Sequence, residues 1–259
     1  MEFLVPKFKS LLPRSPERLV EYYLRGSELV GGIKMIDPVI MVVGFDQREA
    51  IAYHVFCQSV LERASQPVHF VPLTANSIPG YRETHKDGSK AFTYSRFLVP
   101  YLSNYTGWAI FVDGDMVCRD DIVNLWKLRD ATKAVQVAKH SYVTKSNQKY
   151  FGNKNENYPM KNWSSVILWN CGHPSNRQLT PEVVGSKNGS FLHRFQWLSD
   201  DEIGEISRLW NWLAIEYEPS ADAKLVHYTL GTPCFKEYKN SDMAEDWHLA
   251  LVRAKQGLE

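Results

Sequence analysis

The sequence predicts an α/β domain with a central, mainly parallel β-sheet flanked by helices. From residue 37 onward, short apolar runs rich in β-branched residues alternate with stretches of helical periodicity, which is the pattern of parallel strands joined by crossover helices. Of the 259 residues, 44% are hydrophobic and 13% aromatic, enough to bury the core of one compact domain. No run approaches the roughly 18 apolar residues of a membrane span. The N-terminus carries no basic segment leading through a long apolar stretch to a small-residue cleavage site, so a cytoplasmic protein is expected.

Residues 1–36 read as an N-terminal extension and residues 37–259 as the main domain. In "SPERLVEYYLRG", Ser15 is the N-cap, Pro16 the first helical residue and Gly26 the stop. Six basic residues against four acidic ones, interleaved with Phe3, Leu4, Phe8, Leu11 and Leu12, suit peripheral contact with the inner face of a membrane. The small surplus of charge favours instead a helix docked on the main domain or on a second copy in a homo-oligomer. "PVIMVVGFD" is the first strand of the main domain. "QREAIAYHVFCQSVLERA" follows as a helix, with Ala52, Phe56 and Val60 beside Ile51 and Val55 on one face. "VHFVPL" is a second strand, "SKAFTYSRFLVPYL" a helix and "WAIFVD" a third strand; "AVQVA", "SSVILWN" and "KLVHYTL" add three more. The polar stretch Lys145–Lys161 reads as a long loop of the kind that covers a site. Cys57, Cys118, Cys171 and Cys234 form no CxxC pair and are expected as packing residues in a reducing compartment. A formal net charge of +1 supplies no field for nucleic acid, so a charged ligand must be met locally.

The chemistry concentrates in "AIFVDGDMV". Asp113 lies at the carboxyl end of a strand, Gly114 turns the chain and Asp115 follows, so two carboxylates face the crevice where parallel sheets bind ligands. Carboxylates that close repel unless a cation lies near them, and hard oxygen ligands suit Mg²⁺ or Mn²⁺, with open positions for phosphate. A polar D-G turn is the competing reading of the tripeptide alone. "LVHYTLGTPCF" repeats the layout, an apolar run ending in His227, whose neutral imidazole is an acceptable third ligand. Arg96 is the candidate cation for a leaving diphosphate, against a surface arginine on an amphipathic helix. Asp46 accepts hydrogen bonds from ribose or uracil, caps the following helix, or does both. Trp163, Trp210 and Trp212 are candidates for stacking on an acceptor sugar, or are core.

"FVDGDMV" resembles the DxD motif of nucleotide-sugar glycosyltransferases of the Rossmann-like GT-A fold, and the ordered blocks over roughly Asp37 to Trp247 are similar to glycosyltransferase family 8 and its bacterial relatives. The resemblance implies a UDP-sugar donor, a Mn²⁺ or Mg²⁺ ion held by Asp113, Asp115 and His227, transfer with retention, and a glycan or lipid-linked acceptor in bacterial surface polysaccharide synthesis. It places Gly44, Phe45, Asp46 and Arg48 of "VVGFDQREA" at the nucleotide, together with Tyr94 and Arg96 of "FTYSRFLVPYL" and Gly114 of the DxD turn. "NWSSVILWN", with Trp163, Ser164 and Ser165, stands for the sugar-pocket block. "HYTLGTPCF" stands for the closing motif, with Gly231 and then Lys236 as the phosphate lysine. The family's acidic pair after the sugar block is absent as such, and Asp200 and Asp201 are the nearest candidates, with capping of a helix as the alternative. Two residues, Thr229 and Leu230, separate Tyr228 from Gly231 where the family has one.

Two other classes compete. Phosphatases of the haloacid dehalogenase type also follow an apolar strand with Asp-x-Asp, but near the N-terminus, whereas two strand-helix units precede Asp113 here. A non-catalytic nucleotide- or sugar-binding module would explain the aromatic residues but not the pairing of a DxD with a distant histidine.

Overall fold

The computed structural model describes residues 37–256. The helix expected within residues 1–36, and with it the membrane or oligomer contact, lies outside the described residues. The chain runs β1 (Val39–Gly44), α1 (Ala50–Leu61), β2 (Val68–Leu73), α2 (Val99–Leu102), β3 (Trp108–Val112), β4 (Met116–Cys118), α3 (Ile122–Trp126), β5 (Val135–Ala138) and β6 (Val166–Asn170). It continues through α4 (Pro181–Ser186), α5 (Gly189–His193), β7 (Ile203–Ile206), β8 (Trp212–Leu213), β9 (Leu225–His227) and α6 (Ala244–Ala254). Among the described residues, no helix is long and apolar enough to cross a membrane.

The main sheet has six strands in the order β2-β1-β3-β6-β5-β7. β1 pairs in parallel with both β2 and β3, and β5 pairs in parallel with β7; β6 alone runs against its neighbours β3 and β5. Both faces are covered, which is why the strands read as continuous apolar runs rather than polar-apolar alternation. Val42, Phe111, Ile167 and Trp169 point to one face, where they meet Phe92, Phe97 and Phe195. Met41, Val43, Ile110 and Leu168 point to the other, against Phe56 and Val60 of α1.

A second sheet, β4-β9-β8, stands beside the carboxyl end of β3. β4 continues directly from the DxD turn and pairs antiparallel with β9, so that Met116 lies opposite His227. The amide of Tyr228 donates to the carbonyl of Asp115 at 2.9 Å. This register carries the distant histidine to the aspartate pair. Gly114 is required by the close approach of β1: a Cβ there would lie 2.3 Å from the carbonyl oxygen of Gly44.

The expected long helix over "SKAFTYSRFLVPYL" is instead a run of turns, a 3₁₀ segment Ser95–Leu98 and the four-residue α2. Pro100 fits only the first turn of an α-helix, so α2 begins beside it rather than running through it.

Candidate active site

Asp113, Asp115 and His227 each present one oxygen or nitrogen, and these three atoms lie within 4.8 Å of one another in buried positions. His227 Nε2 is 3.4 Å from Asp115 Oδ1 and 3.9 Å from Asp113 Oδ2. The buried Oδ1 of Asp115 finds no hydrogen-bond donor among the described residues.

The tautomer of His227 follows from its neighbours. The Asn211 side-chain nitrogen donates to the carbonyl of Asn162 and to Ser165 Oγ, both at 2.9 Å, while Ser165 Oγ donates to that same carbonyl at 2.7 Å. A carbonyl only accepts, so the Asn211 amide is oriented and its Oδ1 must accept the proton on His227 Nδ1, 3.1 Å away. In the neutral ring this leaves the Nε2 lone pair facing the Asp115 oxygen. Two opposed acceptors without a proton between them, plus a second carboxylate, form a donor set that fits a hard divalent cation.

Two cations surround the carboxylates. Arg96 Nη1 sits 2.7 Å from Asp113 Oδ1 and donates to the carbonyl of Ser164 at 2.9 Å. The guanidinium lies between the rings of Phe92 and Phe111 at 5.5 and 5.1 Å, and the residue is buried, so Arg96 is not a surface arginine. Lys90 Nζ is 3.1 Å from Asp115 Oδ2 and also contacts Glu49. Burial raises the Asp113 pKa against the pull of Arg96, and the charge of Asp115 raises it further. Burial also opposes ionisation of Asp115, but the Lys90 ammonium holds its carboxyl well below the usual range. Close carboxylates are thus pushed apart in acidity.

These groups line one wall of a cavity of about 520 Å³. Of the sequence-predicted site residues, Tyr94, Arg96, Asp113, Asp115, Ser164, Ser165 and His227 line it. Tyr94 donates to Asp87 at 2.5 Å and stacks on His85. The other walls bring residues the sequence did not single out, among them Lys90, Lys149, Lys161 and His193. Asn211 was also missed, because an asparagine inside the apolar run "RLWNWL" carries no motif signal.

The remaining candidates lie elsewhere. Asp46 caps the segment after β1, accepting from the amides of Arg48 and Ala91 and pairing with the Arg48 guanidinium at 2.6 Å, while Phe45 packs edge-on against Tyr53. Gly44, Gly114 and Gly231 serve backbone turns and close approaches; Gly231 packs against the ring of Tyr238. The Trp163 indole donates to the carbonyl of His140 at 2.9 Å, Trp210 is core, and the Trp212 indole donates to the carbonyl of Glu218 at 3.1 Å. Lys236 is exposed on a 3₁₀ turn away from the cavity lining. Asp200 and Asp201 are corrected on geometry: they are exposed on a 3₁₀ turn capped by Ser199. That turn precedes β7, at the amino end of a strand parallel to β5, whereas the cavity opens at the carboxyl ends.

A family model described as Glycosyl transferase family 8 matches residues 46–172. The Arabidopsis thaliana Protein CDI is 42% identical over 219 residues, covering 81% of this chain and 85% of that protein. The chain belongs to glycosyl transferase family 8. It is therefore a glycosyltransferase, and neither the phosphatase reading nor the non-catalytic module survives. Solved structures agree on the GT-A fold. The bifunctional glycosyltransferase WbbM superposes with a TM-score of 0.60 at 16% identity over 83% of this chain and 50% of that one. The galactosyltransferase LgtC gives 0.52 at 13% identity, covering 83% of this chain and 96% of that one. GlyE from Streptococcus pneumoniae gives 0.56 at 12% identity, covering 83% and 60%. In this family 8 chain the cavity and its carboxylate-histidine cluster stand at the carboxyl end of β3.

Proposed function

We propose that this family 8 glycosyltransferase moves a sugar from a UDP-sugar to a glycan acceptor, with retention, using Mn²⁺ or Mg²⁺ held by Asp113, Asp115 and His227. The observation that carries this reading is the convergence of those three ligand atoms with Arg96 on one cavity wall. When bound, the ion neutralises charge on the leaving diphosphate. Arg96 is already oriented by Asp113 and Ser164, so it adds a fixed positive charge without reorganisation. Lys90 keeps Asp115 ionised and therefore ready to ligate. Ser164 and Ser165 line the same space, where the donor sugar would lie.

The relative at 42% identity is a plant protein, which lends no support to a bacterial surface glycan as acceptor. A panel of nucleotide sugars with Mn²⁺, scored by release of the nucleoside diphosphate, tests the reading. One UDP-sugar should be hydrolysed slowly without acceptor and only when metal is present. Release from no UDP-sugar, or equal release in chelator, would remove the proposal.

A further inference from the structure

The loop Lys145–Lys161 supplies one wall of the cavity, and within it Lys149 carries a charge with no counterpart. Its Nζ meets the hydroxyl of Thr229 at 3.4 Å, and among the described residues no carboxylate lies within ion-pair distance of it. The cations next to the aspartates are already engaged, Arg96 with Asp113 and Lys90 with Asp115 and Glu49. A half-buried ammonium that lacks a carboxylate is costly unless something anionic arrives to meet it.

The loop is tied down where this lysine emerges. The Tyr150 amide donates to the carbonyl of Leu230 at 2.7 Å, and the Tyr150 ring stacks on Phe235 with centroids 5.4 Å apart and planes 10° from parallel. Lys90 Nζ lies over the Tyr150 ring, 4.4 Å from its centroid. The residues that receive the loop, Thr229, Leu230 and Phe235, belong to the turn that follows His227. Thr229 and Leu230 stand where the family pattern has a single residue, so that turn is one residue longer. Lys149 thereby lines the same cavity as Asp113, Asp115 and His227, whereas Lys236 does not.

We infer that Lys149, reaching in from the loop across the cavity, is the cation that binds the diphosphate of the donor in this chain, in place of Lys236. The inference rests on the nucleotide-sugar reading above. Asp113, Asp115 and His227 would hold the divalent ion, a diphosphate in the same cavity would meet the Lys149 ammonium, and Thr229 fixes the direction of that ammonium.

Calorimetry with UDP, with inorganic diphosphate and with Mn²⁺ alone, on wild type and on Lys149→Met, Lys149→Arg and Lys236→Met, tests it. With Mn²⁺ present, Lys149→Met should weaken UDP and diphosphate by about ten- to a hundredfold, the range of a charge-assisted hydrogen bond. Affinity for Mn²⁺ alone should hold, Lys149→Arg should recover most of the loss, and Lys236→Met should bind as wild type. Wild-type UDP affinity in Lys149→Met overturns the assignment and leaves the donor reading standing. A parallel fall in affinity for Mn²⁺ alone would mark a collapsed loop and overturn it too. Wild type that binds diphosphate but not UDP, with the diphosphate lost in Lys149→Met, would keep Lys149 and remove the nucleotide donor.

Discussion

Asn211 holds His227 by Nδ1 at 3.1 Å, and its own orientation is dictated by the carbonyl of Asn162. The residue never meets the ion, yet it decides which imidazole nitrogen is free. Such partners of a ligand histidine typically account for about ten- to a hundredfold in metal affinity. Asn211→Leu should therefore weaken Mn²⁺ binding by about that factor while the fold persists, as titration calorimetry and a thermal melt would record; unchanged affinity would show that the tautomer is held some other way. At this scale the sequence was legible where a residue type sits in a spaced pattern, as for Asp113, Asp115 and His227. It was not legible where the role arises from packing. Arg96 read either as the candidate cation or as a surface helical arginine, and only its enclosure by Phe92 and Phe111 rules out the latter; Lys149 is one lysine among several in a polar loop.

The small sheet β4-β9-β8 converts a motif at mid-chain and a histidine near the C-terminus into one cluster. Its strands span three, three and two residues, too short for hydrophobic periodicity to mark, and of the three only β9 was legible, through "KLVHYTL". The strands of the main sheet were visible, except the four-residue β7, because both of its faces are buried and the runs are uniformly apolar. Leu225, the first residue of β9, is fully buried among the side chains of α3 and β4. Leu225→Ala should cost about 2–5 kcal/mol of stability by leaving a cavity, readable by chemical denaturation. Because β9 carries His227, the same variant should also bind Mn²⁺ less tightly; full metal affinity in a destabilised protein would mean that the register of β9 does not position the ligand.

Among the described residues, His140 and His193 are held neutral by their surroundings. Burial lowers His140, helped by the charge of Arg208, and burial lowers His193, helped by Arg96, each to about 3 from 6.5. Between those values the unfolded chain binds protons that the native protein excludes, so stability falls as pH drops below about 6.5, by about 1.4 kcal/mol per pH unit for each histidine. Denaturation midpoints at pH 7 and pH 5 should differ accordingly, and the slope should flatten in His140→Phe; a stability that stays level over that interval would contradict neutral burial. The central claim is that Asp113, Asp115 and His227 form a metal platform for a nucleoside diphosphate. It is tested most directly by calorimetry of UDP with and without Mn²⁺ on wild type and on Asp115→Asn, which removes one ligand charge with little change of shape. UDP should bind wild type only with Mn²⁺, and Asp115→Asn should abolish that metal-dependent binding while keeping the thermal midpoint; UDP affinity equal in the two proteins would contradict the account.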